Sequence, residues 1–287
     1  MISPTRRLLP QFAGLHEGLG SAYERYAVGL LTERLVRRLG ARTVAEWPAN
    51  GVLGVPGLKS MPLALSGCDV TLVNPSRALL DGALEVWRAA GLAEPRVIVA
   101  DPERAVAPTP GFDLVWSFCA FEHARDPDAL ARAMLAASRH HVLIFVQNAW
   151  MPGVHLHRLQ HRLDRRRWDH GSVAAMRAGF VAARLRELGA EIIEIGGCDM
   201  PPWPDINVRL PRRPVRDVEF SADARDYGPA DPVLTPAAAA RVFAGERALS
   251  PLIAGLALWH DWVERALPRW VLRVIAHHPY VLARKPA

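Results

Sequence analysis

The first stretch with residues suited to chemistry is a glycine-rich loop, PANGVLGVPG, at residues 48–57. It follows the apolar run Thr43–Trp47 and contains Gly51, Gly54 and Gly57. Glycine lets a chain turn tightly and lets its backbone approach a bound ligand closely. An ordinary strand-to-helix turn uses the same residues, so the loop by itself leaves both interpretations open.

Two polar side chains follow the next two apolar runs. Asn74 comes roughly 20 residues beyond the glycine loop, where a polar side chain can hydrogen-bond the hydroxyls of a ribose. Asp101 follows the run 96–100, and its carboxylate can accept a hydrogen bond from the exocyclic amine of adenine, with Pro102 shaping the turn. The alternative for both is structural: Asn74 or Ser76 could cap a helix, and Asp101 could be a cap or turn residue.

A fourth segment, SFCAFEH at residues 117–123, follows another apolar run. Ser117 and the neighbouring backbone could contact a ligand there, with Glu122 and His123 just beyond. Histidine and glutamate side chains at such a place can act as a general base. The candidates are His123, His170 and Glu122, and His123 is a weak one because a single histidine is more often structural.

Strands that alternate with helices must position these segments. Period-2 and helical patterns predict strands at 43–47, 70–73, 96–100, 112–116, 141–146, 191–195 and 280–283, and helices at 15–40, 76–90, 127–138, 172–188 and within 236–277. This alternation favours a parallel sheet with helices on both faces. Ligands of such sheets bind beyond the carboxyl ends of the strands, which is where the four segments fall.

The length of 287 residues suits one domain with an embellishment. We expect an N-terminal helix at 15–40, a ligand-binding core at 41–150, and an insertion at 200–277 before the closing strand. That insertion contains Trp203, Trp259, Trp262 and Trp270, and we expect it to form an aromatic wall beside the ligand. Packing of these tryptophans against the core, or a surface for lipid, are the alternatives.

Four motifs in order resemble a known family. TVAEWPANGVLGVPG, VTLVNPS, VIVADPE and FDLVWSFCAFEHARDPDAL look like the successive cofactor motifs of class I S-adenosylmethionine-dependent methyltransferases, with the small-molecule and lipid-modifying branch closest. The resemblance covers about residues 40–150, with weaker echoes in RELGAEIIEI and PYVLARKP. It implies a doubly wound α/β fold with a mostly parallel seven-stranded sheet, and S-adenosylmethionine as the cofactor.

The resemblance also assigns roles to residues. Glu46 and the backbone of Asn50–Gly57, including Gly51 and Gly54, would surround the methionine part of the cofactor. Asn74 would bind the ribose, Asp101 with Pro102 would bind the adenine amine, and Ser117 and Phe118 would line the floor. The acceptor would be a small or lipid-like molecule.

Two features depart from the family pattern. The usual GxGxG is replaced by Pro48-Ala49-Asn50-Gly51 in a longer loop, and the acid that binds ribose is Asn74. A rebuilt loop that still binds cofactor is the favoured interpretation, because three glycines remain. A non-catalytic scaffold or interaction protein with a degenerate site is the alternative. An NAD-dependent reductase is disfavoured, since the chain has only two lysines, Lys59 and Lys285, and no Tyr-x-x-x-Lys.

The composition bears on which partners the protein could bind and on where in the cell it would be found. The net charge is +6, carried mostly by arginine, and the densest basic stretch is HLHRLQHRLDRRR at 155–167. A solvated helix face is the favoured interpretation of that stretch. Nucleic acid is therefore an unlikely partner, while contact with a membrane surface stays open. Without a spanning run of roughly 18 apolar residues or a signal core, we expect a cytoplasmic protein, and the arginine, alanine and proline bias suggests a bacterial one.

No metal or disulfide is expected. Cys68, Cys119 and Cys198 are widely separated, and no histidine, cysteine or acidic cluster with ligand spacing was evident. The sulfonium of S-adenosylmethionine needs no Lewis acid. The sequence does not indicate an oligomeric state.

Overall fold

A single sheet organises the chain. The computed structural model describes residues 3, 5–8, 19–49, 55–106, 111–165, 167, 168, 170–200 and 251–286. Within these ranges the strands are β1 (Thr43–Glu46), β2 (Asp69–Asn74), β3 (Arg96–Val99), β4 (Phe112–Phe118), β5 (Ser138–Phe145), β6 (Glu191–Cys198) and β7 (His278–Arg284). Each lies at a place where the sequence predicts a strand.

The strands lie side by side in the order β3-β2-β1-β4-β5-β7-β6. The pairs β1–β2, β1–β4, β2–β3 and β4–β5 are parallel, and β7 is antiparallel to both β5 and β6. The chain therefore winds outward from β1 in both directions, so the sheet has a switch point between β1 and β4. This confirms the expected mostly parallel, doubly wound, seven-stranded α/β fold.

Both faces of the sheet are buried, because successive strand residues alternate between two hydrophobic clusters. On β1, Val44 lies in one cluster and Ala45 in the other, and Leu114 and Val115 divide in the same way on β4. Helices cover each face. They are α1 (Leu19–Leu39), α2 (Met61–Leu65), α3 (Arg77–Ala89), α4 (Pro127–Ala137), α5 (Pro152–Leu163), α6 (Ala178–Glu187), α7 (Pro251–Val263) and α8 (Arg269–Ile275).

Capping residues fix where several helices begin and end. Gly40 adopts φ +65° after α1, and Ala41 N–H donates to Val36 O, which closes the helix as expected at this glycine. Asp126 caps α4 by accepting hydrogen bonds from the N–H groups of Asp128 (3.0 Å) and Ala129 (2.9 Å).

One helix begins later than predicted. The helix expected over 172–188 begins at Ala178, because Gly171 adopts φ +84° and Ser172 N–H donates to Glu122 O at 2.7 Å. These contacts hold the start of the segment in turns. The basic stretch at 155–167 falls mostly in α5, which agrees with its interpretation as a helix.

The closing strand returns to the sheet after a long connection. β6 ends at Cys198 and β7 begins at His278, with α7 and α8 between them. Residues 201–250, including Trp203, lie outside the described ranges, so most of the insertion expected at 200–277 cannot be compared. None of the described helices has the combination of length and apolar character that crossing a membrane requires.

Candidate functional site

The predicted site residues meet at one edge of the sheet, at the carboxyl ends of β1 to β4. Hydrogen bonds across this edge hold the strand ends together: Trp47 N–H donates to Trp116 O (2.7 Å), and Ala100 N–H donates to Asn74 O (3.2 Å). Glu46, Asn74, Asp101 and Ser117 therefore lie on four neighbouring strand ends. Because this edge adjoins the switch point, it is where the fold places ligands.

Glu46 is the last residue of β1, and it is buried. Its carboxylate accepts a hydrogen bond of 2.5 Å from the hydroxyl of Ser60, in the 3₁₀ turn Leu58–Ser60. The charge at the end of β1 is therefore held in a fixed position, as a group that must recognise a cation requires.

Gly57 is the described glycine of the loop, since Asn50, Gly51 and Gly54 lie outside the described residues. It adopts φ +79°, and a Cβ at this position would lie 2.6 Å from Leu72 Cδ1. Gly57 thus provides the tight turn that the sequence predicts. Its close contact is with the hydrophobic core, so this glycine is required by packing.

Asn74 is fully buried, and both ends of its amide bind backbone groups. Nδ2 donates to Ala49 O (2.8 Å), and Oδ1 accepts from Ser76 N–H (2.7 Å). Ser76 is the residue that caps α3, by accepting a hydrogen bond from Leu79 N–H (3.4 Å). Asn74 therefore fastens the loop after β1 to the end of β2, and its role in ribose binding stays a prediction.

Asp101 and Pro102 form the turn after β3. Asp101 Oδ1 accepts from Glu103 N–H at 3.0 Å, and the side chain keeps about a third of its surface exposed (35%). Pro102 O accepts a hydrogen bond of 2.8 Å from the buried Trp47 indole. The turn function is thus present, and a partly exposed carboxylate remains at the edge where the adenine is predicted.

Ser117 and Phe118 end β4. Ser117 is fully buried, and its hydroxyl has no hydrogen-bond partner within the described part of the chain. A buried hydroxyl in this state is costly unless a ligand supplies a partner. Phe118 lies under Lys59, whose Nζ is 4.2 Å from the ring centroid, and beside the ring of His278 at 4.6 Å.

A buried network of charged groups adjoins Phe118, and sequence reasoning missed it. Lys59 Nζ lies 3.0 Å from Glu24 Oε1, and Glu24 Oε2 lies 3.0 Å from His278 Nε2. His278 continues to Cys119 Sγ (3.3 Å) and to the carboxylate of Asp199 (3.4 Å). Burial alone would raise the pKa of Glu24, but Lys59 and His278 outweigh it and lower that pKa.

The three candidate bases lie close together but differ in protonation. Burial raises the pKa of Glu122 to about 7, although backbone N–H groups and the Cys119 thiol oppose the shift. Burial lowers the pKa of His123 to about 4. Burial and the neighbouring imidazoles, including His123, lower the pKa of His170 to about 3. Glu122 is therefore the group whose pKa lies nearest neutral pH.

The insertion contributes tryptophans in two different environments. Trp259 packs against the cluster of Tyr23 and Tyr26 on α1, and its indole donates to Met200 O at 2.9 Å. Trp262 and Trp270 are each 73% exposed. Trp259 thus follows the core-packing alternative, whereas the other two lie on the surface.

Ligand-type side chains cluster in two places within the described ranges. One group is His157, His161 and His170, and the other is Asp199, His277 and His278. The expectation that no such cluster exists is wrong. His170 reaches His157 and His161 only through the turn that follows α5, and Asp199 meets the other two histidines only where β6 and β7 pair. The second group is already paired through ion pairs and hydrogen bonds.

Comparison with known proteins finds a domain match and structures that share the fold. Residues 53–144 match a family model described as a methyltransferase domain. No curated protein sequence matches the chain. Two solved structures share its fold: the [4+2]-cyclase SpnF (TM-score 0.50, 16% identity, covering 99% of this chain and 93% of that chain) and a candidate methyltransferase from Bacillus halodurans C-125 (TM-score 0.51, 14% identity, 90% and 99%).

One of these neighbours is a cyclase by name, so the fold does not by itself fix the reaction. The class of reaction is indicated by the family model, which describes a methyltransferase domain. Residues 53–144 are thus similar to a methyltransferase domain, and S-adenosylmethionine is the cofactor that fits such a domain.

Proposed function

We propose that this chain is a methyltransferase that transfers the methyl group of S-adenosylmethionine to a small or lipid-like acceptor at the carboxyl edge of β1 to β4. The observation that carries the proposal is the convergence of Glu46, Asn74, Asp101 and Ser117 on four adjacent strand ends within or beside the matched domain. In this proposal Glu46 faces the methionine part, Asn74 the ribose, Asp101 the adenine amine, and Ser117 with Phe118 the floor.

The chemistry of this donor set fits the cofactor. Glu46 offers a buried carboxylate to the ammonium group, and Asp101 offers a partly exposed carboxylate to the adenine amine. The hydroxyl of Ser117, which has no partner in the described residues, would gain one from a ligand. Each contact would be a hydrogen bond to or from a charged or buried group, where such bonds contribute most.

When bound, S-adenosylmethionine supplies an activated methyl group on a sulfonium. The protein therefore has to align the acceptor with the methyl carbon and exclude water. An acceptor hydroxyl would also have to lose its proton. Glu122 is better matched to that task than His123, because a base works best when its pKa is near the working pH.

Exposed aromatic side chains on α7 and α8 favour a lipid-like acceptor within this proposal. Trp262 on α7 and Trp270 on α8 expose most of their indoles, and Leu258 is also exposed. Tryptophan is enriched where proteins meet the interface of a bilayer, because the ring is apolar and its N–H is polar. A lipid substrate would be reached from such a surface.

Isothermal titration with S-adenosylmethionine, its demethylated product and NADH tests the cofactor site. Asp101→Ala should weaken cofactor binding by about 1–3 kcal/mol, because it removes an acceptor from the adenine. Asp69→Ala is the control, since Asp69 begins β2 at the opposite edge. Equal affinity of Asp101→Ala and wild type would refute the adenine placement, and binding of NADH alone would indicate a reductase.

A second assay tests the acceptor. Protein with S-adenosylmethionine labelled in the methyl group is incubated with a bacterial extract, and label is then followed into solvent-extracted lipid, small water-soluble molecules, protein and nucleic acid. Label in either of the first two fractions supports the proposal. Label confined to protein or nucleic acid contradicts it, and cofactor binding without any transfer would indicate a non-catalytic scaffold.

A further inference from the structure

Three histidine side chains converge after β5, outside the predicted cofactor contacts. His157 and His161 lie four residues apart on α5, so they share one face of the helix. His170 returns to the same point nine residues later. The Nε2 atoms form a triangle with sides of 3.2 Å (His157–His161), 2.9 Å (His157–His170) and 3.3 Å (His161–His170).

The triangle has the dimensions of a metal site. Zinc binds imidazole nitrogen at about 2.0–2.1 Å with tetrahedral geometry, which separates neighbouring ligand atoms by about 3.3 Å. The three sides of the triangle, 2.9 to 3.3 Å, lie at or below that separation. Three side chains from a helix and a following turn therefore present their nitrogens at the spacing that one ion requires.

Hydrogen bonding among the rings accounts for the triangle less well. His161 Nδ1 lies 2.9 Å from the carbonyl oxygen of Arg167, which can only accept, so Nδ1 donates this hydrogen bond. In a neutral imidazole with its proton on Nδ1, Nε2 carries a lone pair, which is the form that binds metal. At most two protons remain for three short contacts, whereas a cation would satisfy all three. A backbone carbonyl on the other ring nitrogen is also the usual support of a histidine that binds metal.

The surroundings hold the cluster in place. Trp168 packs against all three imidazoles, with centroid distances of 6.0 Å to His157, 5.5 Å to His161 and 4.8 Å to His170. Its indole donates to Gly171 O at 2.8 Å. Gly171 itself packs against the backbone of Glu122 and so anchors the third histidine beside the carboxyl end of β4.

We propose that His157, His161 and His170 bind one divalent transition-metal ion through their Nε2 atoms, with zinc as the ion that fits best. Neutral imidazole suits zinc, copper, iron and nickel, and the tetrahedral spacing favours zinc. Three protein ligands leave a fourth position for water or an acceptor atom, as in catalytic zinc sites. The site lies beside β4, so the ion would be near the acceptor side of the sheet edge.

Metal binding to the untagged full chain tests this assignment. Protein treated with chelator and dialysed is titrated with Co²⁺, and its visible absorption is recorded before and after addition of Zn²⁺. We expect one equivalent of Co²⁺ with the strong visible bands of tetrahedral coordination, which Zn²⁺ displaces. Elemental analysis after dialysis should then find one zinc per chain.

Variants locate the ion. His157→Ala/His161→Ala should weaken zinc binding at least about 100-fold, since loss of a ligand costs more than loss of its support. His155→Ala is the matched control, because His155 is an exposed histidine on the same helix. His170→Asn provides a second variant, and far-ultraviolet circular dichroism checks that each one folds.

A thermal measurement gives an independent readout. A ligand that binds only the folded state raises Tm, so zinc should raise the Tm of wild type and of His155→Ala but not of the other two variants. Zinc that binds wild type no more tightly than the double variant overturns the assignment, as does Co²⁺ bound without tetrahedral bands. Equal loss of binding in His155→Ala also overturns it.

Discussion

Glu122 should make the protein less stable as the pH rises, and Glu122→Gln should remove that effect. The carboxyl group is fully buried at the end of β4, and burial raises its pKa from 4.5 to about 7. The folded state thus keeps a proton that the unfolded chain releases near pH 4.5. Stability is therefore lost as the pH rises from about 4.5 to about 7, and it is unaffected by this group outside that window.

The magnitude follows from the difference between the two pKa values. A pKa difference of one unit corresponds to about 1.4 kcal/mol. Relative to a protein with a neutral side chain at this position, the free energy of unfolding of wild type is therefore lower by about 1 kcal/mol at pH 5 and by about 3 kcal/mol at pH 8. Glutamine has the shape of the protonated acid, and its oxygen can still accept from Gln147 N–H, which lies 3.0 Å from Glu122 Oε1. The free energy of unfolding of Glu122→Gln, taken relative to that of wild type, should therefore increase by about 2 kcal/mol from pH 5 to pH 8.

Urea unfolding of both proteins at pH 5 and pH 8 measures this difference. Only the double difference is informative, because burial also raises the pKa of Glu264 to about 7 and lowers the pKa of His123 to about 4. Those groups are common to both proteins and cancel. Glu94→Gln, at an exposed carboxylate, is the control. A difference between Glu122→Gln and wild type that is the same at both pH values would refute the reasoning.

Two further substitutions test the packing around the site by denaturant unfolding. Gly171→Ala should lower the free energy of unfolding by about 2–4 kcal/mol, because φ is +84° and the new Cβ would lie 2.4 Å from Glu122 O. Gly179→Ala is the control, since Gly179 has open space around it in α6, and it should be neutral or stabilising. Equal effects of the two substitutions would contradict this prediction. Lys59→Met should cost about 3 kcal/mol, because Glu24 would lose its lysine partner in a buried site, while the exposed Arg77→Met should cost under about 0.5 kcal/mol. A Lys59→Met protein as stable as wild type would show that the buried pair contributes nothing.

The fold was predictable because each strand carries its own signal. The buried parts of strands such as β2 and β5 are short apolar runs. In the helices between the strands, apolar residues recur every three to four positions. The strand order was not predicted, because the residue pattern within 278–284 does not indicate that β7 pairs with both β5 and β6. The start of α6 was misplaced because the contact between Ser172 and Glu122 is also non-local.

The positions of the candidate site residues were predictable only where chain order and sheet geometry coincide. Asn74 and Asp101 end neighbouring strands, so reading along the chain was enough to bring them together. The bond between Glu24 and His278 joins residues 254 positions apart, and no sequence spacing announces it. The histidine cluster had a partial signal in the four-residue spacing of His157 and His161, but His170 joins only through the turn around Gly171.

The two departures from the family pattern are connected in the structure. The loop after β1 lies on β2 through both backbone groups of Ala49, whose N–H donates to Val73 O and whose carbonyl accepts from Asn74 Nδ2. A carboxylate at position 74 could not donate to that carbonyl, whereas an amide can. The amide therefore suits the rebuilt loop, and the two departures amount to one structural change. One coordinated change that keeps a buried polar end on β2 favours a cofactor site adapted to a longer loop over one that has decayed.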